Sequence, residues 1–327
     1  MRVGQVLTVG VVGSGWMAQQ HLTAWRRLGM PAGLYSTGRN AAGLTAAAGA
    51  SLHAGLADLI DGSDVVDICT PSTSHLAAAA AAAAAGKPVI CEKPLARSHS
   101  QAVELIDSCR RAAVPLLVGH VVRYFPQYAA AKRAVADGRI GRPTELWLSR
   151  AVAMPTRSWY ADDSLSGGVL LDLMIHDIDY ARWIAGEVTS VEATVTSGER
   201  GERTGRATLQ HRDGAVSRLT GLWGVAGQPF SAGFELTGTG DAVRSDEFAA
   251  GQVAPDDVAP SRPGDDFGGD FGDDADLQPY VAQLAEFAAV INGTATPRVT
   301  AQDALAALDI SLAAIESSGS GRPVALV

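Results

Sequence analysis

The sequence contains no apolar run approaching the roughly 18 residues that a membrane-spanning helix needs. Its start lacks the basic flank and small-residue cleavage site of a signal peptide. Instead, the apolar stretch Val6–Val12 runs directly into a glycine loop. The cytoplasm is the expected compartment and no membrane contact is expected. Cysteine is scarce: Cys69, Cys91 and Cys109 are odd in number and match no zinc spacing. Cys69 and Cys91 lie in apolar runs and read as buried thiols. Basic clustering is absent as well. The net charge is −9, and no Lys/Arg stripe of a nucleic-acid binder is present. Acidic charge, by contrast, is concentrated: residues 256–276 hold eight Asp and one Arg. This segment lacks the D-x-[DN]-x-[DN]-G order of a calcium loop and reads as a solvated loop. No internal repeat is evident, and no metal is expected.

With 327 residues, 47% apolar and 19% charged, the chain can bury real cores and is long enough for two domains. The first 120 residues alternate short apolar runs with helical patterns. Strands are expected at Val6–Val12, Ala32–Ser36, Val65–Thr70, Pro88–Cys91 and Pro115–Gly119. Helices are expected at Met17–Leu28, Ala41–Ala48, His75–Ala85 and Ser98–Ala112. Such alternation implies a parallel sheet covered on both faces. Nine consecutive alanines, 77–85, end at Gly86 and read as helix. Beyond residue 122 the texture changes. A helix at Gln127–Asp137 and a strand at Thr144–Val152 precede one long helix at Gly167–Ala185. Strands then recur at Ser190–Ser197, Gly205–Arg212, Ala215–Trp223 and Phe230–Gly238, which suggests an antiparallel sheet. Helices at Tyr280–Asn292 and Ala301–Ser317 close the chain. The expected division is 1–122 and 123–327, with the C-terminal helices returning to the first domain.

Gly13-Ser14-Gly15-Trp16-Met17-Ala18 fits G-x-G-x-x-A between a strand and a helix, the dinucleotide fingerprint of a Rossmann domain. Gly13 suits the tight turn, Gly15 lets backbone approach a pyrophosphate, and Ala18 allows close helix–strand packing. The phosphates would sit at the helix N-terminus. The end of the second strand carries no carboxylate to grip a ribose 2′-hydroxyl. It reads Ser36-Thr37-Gly38-Arg39. Two hydroxyls and an arginine suit a 2′-phosphate, so NADP is expected, with NAD the alternative.

Three further motifs follow in order: Thr70-Pro71-Ser72-Thr73-Ser74-His75, then Glu92-Lys93-Pro94, then a G-G-x-L-x-D-x-x-x-H-x-x-D run from Gly167 to Asp179. With them, the sequence resembles the Gfo/Idh/MocA oxidoreductases. His21 and Arg123-Tyr124-Phe125 also match. Met174 departs, standing where that family often has Gly. Independently of the resemblance, Asp172, His176 and Asp179 share one face of an unbroken helix, and Lys93 follows a strand end, where ligands gather in parallel sheets.

The resemblance implies an α/β Rossmann domain followed by an α+β domain with a largely antiparallel open sheet. It implies hydride transfer to or from a carbinol carbon of a sugar, cyclitol or related polyol. Lys93 would stabilise the developing alkoxide, His176 would act as base, and Asp172 would orient it or bind the neighbouring hydroxyl. Gly13, Ser14, Gly15, Trp16, Met17, Ser36, Thr37, Arg39, Thr70, Pro71, His75, Glu92 and Lys93 would contact cofactor. Arg123, Arg157 and Trp159 are substrate candidates beside Asp172 and His176. The peptide before Pro94 is expected to be cis. A homodimer or homotetramer is expected through the C-terminal sheet, with Trp147, Leu219 and Leu222 on an exposed apolar face. The alternatives are an enzyme acting on a non-carbohydrate carbonyl, imine or dihydrodiol, and a non-catalytic dinucleotide sensor.

Overall fold

A computed structural model describes residues 5–38, 40–245 and 274–326. Arg39 and most of the acidic segment 256–276 lie outside the described residues. The chain begins with β1 (Val9–Val12), α1 (Trp16–Arg27), β2 (Ala32–Tyr35), α2 (Ala41–Ala48), β3 (Ser51–Leu52) and α3 (Leu56–Asp61). It continues with β4 (Val65–Ile68), α4 (His75–Ala84), β5 (Val89–Cys91), α5 (His99–Arg111) and β6 (Leu116–Val118). All six strands are parallel, in the order β3-β2-β1-β4-β5-β6. Every residue of β1, β4 and β5 is buried, which is why β1 and β5 read as continuous apolar runs and β4 as one interrupted only by Asp67. Local chemistry sets the helix limits. Ser98 caps α5 by accepting from the Gln101 N–H, and Arg110 and Arg111 occupy its last turn. In α4 the alanines at 78, 79, 82 and 83 form the buried stripe.

The second series is α6 (Pro126–Ala136), β7 (Pro143–Ala153), α7 (Asp163–Ser166), α8 (Ile175–Ala185), β8 (Val188–Ser197), β9 (Arg203–His211), β10 (Val216–Gly224), β11 (Ser231–Gly238) and β12 (Ala242–Arg244). Then come α9 (Asp274–Ile291), α10 (Ala301–Ser320) and β13 (Val324–Ala325). The sheet order is β12-β11-β7-β10-β9-β8-β13. Its pairs are antiparallel except β7 with β10, which run parallel. The sheet is therefore largely antiparallel, with a mixed centre that the sequence did not announce.

Two compact units result. One takes the chain up to Tyr124, then α9 and the residues on to Leu305; the other takes the chain from Phe125 and again from Ala306. In the first unit α9 lies against α1, with the Trp16 and Tyr280 rings edge-to-face at 6.3 Å. In the second, Tyr128, Tyr180 and Phe234 form an aromatic cluster with centroids 4.7–5.7 Å apart. Each such ring pair contributes about 0.5–1.5 kcal/mol beyond area burial.

The expected apolar patch on the second sheet is smaller than its sequence suggested. Trp147 is 41% exposed, but Leu219 and Leu222 are buried at 2%. Around Trp147 the surface is charged: the Arg218 guanidinium lies 5.0 Å above its ring and pairs with Glu145.

His211 is buried between turn and strand, its Nδ1 2.7 Å from the Gly186 carbonyl and its Nε2 2.7 Å from the Ser217 hydroxyl. A neutral ring satisfies both, donating from Nδ1 and accepting at Nε2. Burial lowers its pKa below the ordinary histidine value, against smaller raising effects of the Gly186 bond and Glu187. The unfolded chain then binds the proton more readily, so stability is lost as pH falls below about 6.5, the unfolded value. Urea melts between pH 7 and 5 should therefore decline more steeply for the parent than for His211→Gln; equal slopes would contradict this.

Candidate functional site

In the first unit the candidate residues stand beyond the carboxyl ends of parallel strands, where the direction of sheet winding reverses between β1 and β4. The turn after β1 needs its glycine. Gly13 has φ +119°, and a Cβ there would lie 2.6 Å from the Cys69 carbonyl oxygen. Gly15 precedes α1 with extended backbone; no side chain caps that helix, and its first turn contains no acid. The first turn of α1, at Trp16 and Met17, thus brings no acid of its own, which suits a phosphate at that N-terminus. After β2, the Ser36 hydroxyl lies 2.8 Å from the Ser14 hydroxyl and accepts from the Gly38 N–H at 3.0 Å. Ser14 and Ser36 are therefore brought together, and a Cβ at Gly38 would come within 2.5 Å of Ser14 Oγ. Thr37 is exposed, and Arg39 lies outside the described residues.

The loops after β4 and β5 are tied by His75. Its Nε2 lies 2.9 Å from the Thr70 carbonyl, and its Nδ1 3.1 and 3.3 Å from the Pro94 and Leu95 carbonyls. Burial lowers its pKa, although all three carbonyl contacts and Glu92 act the other way. A neutral ring has one N–H, so it donates to one side at a time. His75 is buried and clamps two loops to each other. Pro71 is exposed and Thr70 half-buried. The Lys93–Pro94 peptide is cis. Glu92 is buried, and its Oε2 accepts the Lys93 main-chain N–H at 3.2 Å, while Lys93 itself is half-buried.

Arg123, a substrate candidate by sequence, is 1% exposed. Its guanidinium donates to the Arg298 carbonyl at 3.0 Å and pairs with Asp303 at 3.3 Å. These partners, about 175 residues on, explain a buried arginine without a substrate.

In the second unit, the long helix expected over Gly167–Ala185 is broken. α7 ends at Ser166, and Gly167 and Gly168 follow with φ of +84° and +65°. That pair of positive φ values is what the G-G of the motif supplies. A π turn then runs from Val169 to Leu173, closed by Met174 N–H to Val169 C=O at 2.9 Å, before α8 begins. Asp172 therefore stands on the π turn and His176 on α8, not on one straight helical face. Both are half-buried, whereas Asp179 is buried. π turns frequently mark functional positions.

Met174 explains where the break falls. It is fully buried, and its side chain lies across Gly205 of β9 and Gly221 of β10, which are paired in register. A Cβ on Gly221 would meet Met174 Cγ at 2.4 Å, and one on Gly205 would meet its Sδ at 2.7 Å. The departure at Met174 is thus matched by two glycines opposite. A second anchor escaped the sequence reading. Asp177 and Arg150 form a buried two-pronged pair at 2.8 and 3.0 Å that fastens α8 to β7. Their 27-residue separation left no sequence signal. Arg157 is exposed, and Trp159 is half-buried and stacked on Tyr160 at 3.7 Å.

Comparison with known proteins gives concordant results. Residues 7–120 match a family model described as "Oxidoreductase family, NAD-binding Rossmann fold", and residues 128–244 match "GFO/IDH/MocA C-terminal domain". The inositol 2-dehydrogenase of Rubrobacter xylanophilus is 29% identical over 97% of this chain and 92% of its own. The 1,5-anhydro-D-fructose reductase of Ensifer adhaerens is 28% identical over 79% of this chain and 78% of its own. The crystal structure of an NAD binding oxidoreductase from Klebsiella pneumoniae superposes with a TM-score of 0.81 at 26% identity, over 99% of this chain and 100% of that one.

The Met174 slot predicts a coupled pair. Gly221→Ala should destabilise the protein by about 1–3 kcal/mol, the range for overpacking. In a Met174→Ala background the same change should lose much of that effect, giving a coupling of about 1 kcal/mol or more. Urea melts of the parent, both single variants and the double variant measure it; additive losses would mean that Met174 does not fill the slot.

Proposed function

The chain belongs to the Gfo/Idh/MocA oxidoreductases, and from that premise we propose that it moves a hydride between nicotinamide C4 and a carbinol or ketone carbon of a sugar, cyclitol or related polyol. The observation that carries the reading is the Glu92-Lys93-Pro94 turn. It presents a half-buried lysine beyond a parallel strand end, fixed by Glu92 on one side and the His75 clamp on the other. The uncapped α1 N-terminus and side-chain-free Gly13 fit a dinucleotide pyrophosphate. When bound, the nicotinamide supplies the hydride acceptor or donor.

The protein's part is placement and charge. Lys93 donates a hydrogen bond to the reacting oxygen and offsets its developing negative charge. His176 takes the hydroxyl proton during oxidation and returns it during reduction, since an imidazole titrates near neutral pH. Asp172 orients that imidazole or binds the adjacent hydroxyl. Trp159 offers a ring face to the substrate, and Arg157 a cation.

Three finer readings accompany this one. The cofactor is NADP(H) in preference to NAD(H), because the described residues after β2 present hydroxyls and no carboxylate. The assembly is a homodimer or homotetramer built on the second sheet, with Trp147 at its contact. The compartment is the cytoplasm.

Each has a test. Fluorescence titration should give the lower Kd for NADP(H); tighter NAD(H) binding would reverse the assignment. Sedimentation at micromolar concentration should show a dimer or tetramer, and a monomer would remove the interface. Lys93→Met and His176→Ala should each turn over a polyol at least about a hundredfold more slowly while keeping near-parent cofactor affinity. Near-parent turnover by His176→Ala would place the proton elsewhere. Collapse of cofactor binding in both would make these residues structural.

A further inference from the structure

His21, matched by sequence but given no task in the mechanism above, occupies an unusual position. It is fully buried on α1, with carboxylates on both sides of its ring. Nδ1 lies 2.9 Å from Asp67 Oδ2, and Nε2 lies 3.3 Å from Glu92 Oε1. The second is a close approach without an aligned hydrogen bond. The Trp25 indole N–H also donates to Asp67, at 2.8 Å. The other titratable neighbours are the Cys69 thiol, 3.4 Å from Nδ1, and Tyr280 on α9, whose ring centre is 6.3 Å away. A buried ring between two carboxylates carries two N–H donors only as the imidazolium. A neutral ring would leave one carboxylate facing a nitrogen lone pair in a medium where uncompensated charge is expensive. Burial is the largest single effect and opposes the charge, but Asp67 and Cys69 together outweigh it, and the His21 pKa stands well above the ordinary value.

The chain of contacts continues to the site. Glu92 faces His21 with Oε1 and accepts the Lys93 N–H with Oε2. Gly119, just past β6, makes room for the same oxygen: a Cβ there would lie 2.3 Å from Glu92 Oε1. We propose that His21 is a positioning residue for Lys93, its imidazolium holding the Glu92 carboxylate that fixes the Lys93 main chain. This rests on the catalytic reading of Lys93. The atoms of His21, Asp67 and Cys69 all lie within 4.8 Å of one another, which would also suit a metal ion. However, Asp67 is already engaged by His21, Trp25 and the Cys69 thiol, so hydrogen bonding accounts for the cluster.

The test uses the full-length protein. Nitrogen-15 spectra at pH 7.5 should show both His21 ring nitrogens protonated; a singly protonated ring would overturn the proposal, as would one equivalent of zinc in the purified protein. His21→Leu should keep cofactor Kd within about threefold and KM nearly unchanged while lowering kcat about 10- to 100-fold, the penalty for a misplaced catalytic group. His21→Gln, which can donate to a carboxylate, should recover part of that loss. Gly119→Ala displaces Glu92 without touching His21 and should lower kcat in the same way. If both His21→Leu and Gly119→Ala keep parent kcat while Lys93→Met is inactive, the positioning role falls and the catalytic lysine stands. If Lys93→Met itself keeps parent kcat, the lysine reading falls and this inference falls with it.

Discussion

The first unit depends on one buried carboxylate. Asp67 lies in the middle of β4, fully inaccessible, among apolar neighbours. An isolated charge there would cost several kcal/mol, so it must collect partners. Two of its side-chain donors, His21 and Trp25, come from α1, one helical turn apart, and the Cys69 thiol adds a third from just past β4. Satisfying Asp67 therefore fixes the rotation of α1 about its own axis. That rotation decides which face of α1 is buried: Ala18, His21, Leu22, Ala24 and Trp25 turn inward.

The second unit solves a similar problem with packing as well as charge. Asp172 and His176 lie on either side of Met174, where the π turn gives way to α8. Met174 fills a hollow that two paired glycines leave on the sheet, and the Asp177–Arg150 pair fixes the next turn. A thioether in a hollow tolerates small shifts, whereas a two-pronged ion pair does not. The junction is therefore located by shape and its azimuth by charge.

Much of this was legible in sequence, and the boundary of legibility has physical causes. Buried parallel strands read as apolar runs, so β1 and β5 were found, and β4 despite Asp67. β3 and α3 were missed: Ser51–Leu52 is exposed, and Leu56–Asp61 buries only Leu59 and Ile60, too little for a period to show. The glycine loop and the Glu92-Lys93-Pro94 turn are legible as motifs because their chemistry is local. The unbroken helix over Gly167–Ala185 was misread because a single π turn hardly disturbs apolar spacing, although the Gly167–Gly168 pair marked its start. The roles of Arg123, His75 and Arg150 could not be read, because each is decided by a partner that the fold supplies. The parallel pairing of β7 with β10, about seventy residues apart, is of the same kind.

These partner-decided residues also show how to read a charged side chain in such a fold. Arg123 and Lys93 look equally suited by sequence to meet substrate. Their surroundings separate them. Arg123 is sealed at 1% exposure, and its guanidinium is matched by Asp303 and a main-chain carbonyl. A guanidinium satisfied in this way loses its partners if it turns to bind a ligand, so its charge serves the fold. Lys93 is half-buried at a strand end, and Glu92 holds its main-chain N–H. Fixing the backbone of a partly accessible lysine is what preorganised catalysis asks of it. The distinction lies in burial, and the sequence carries no record of that.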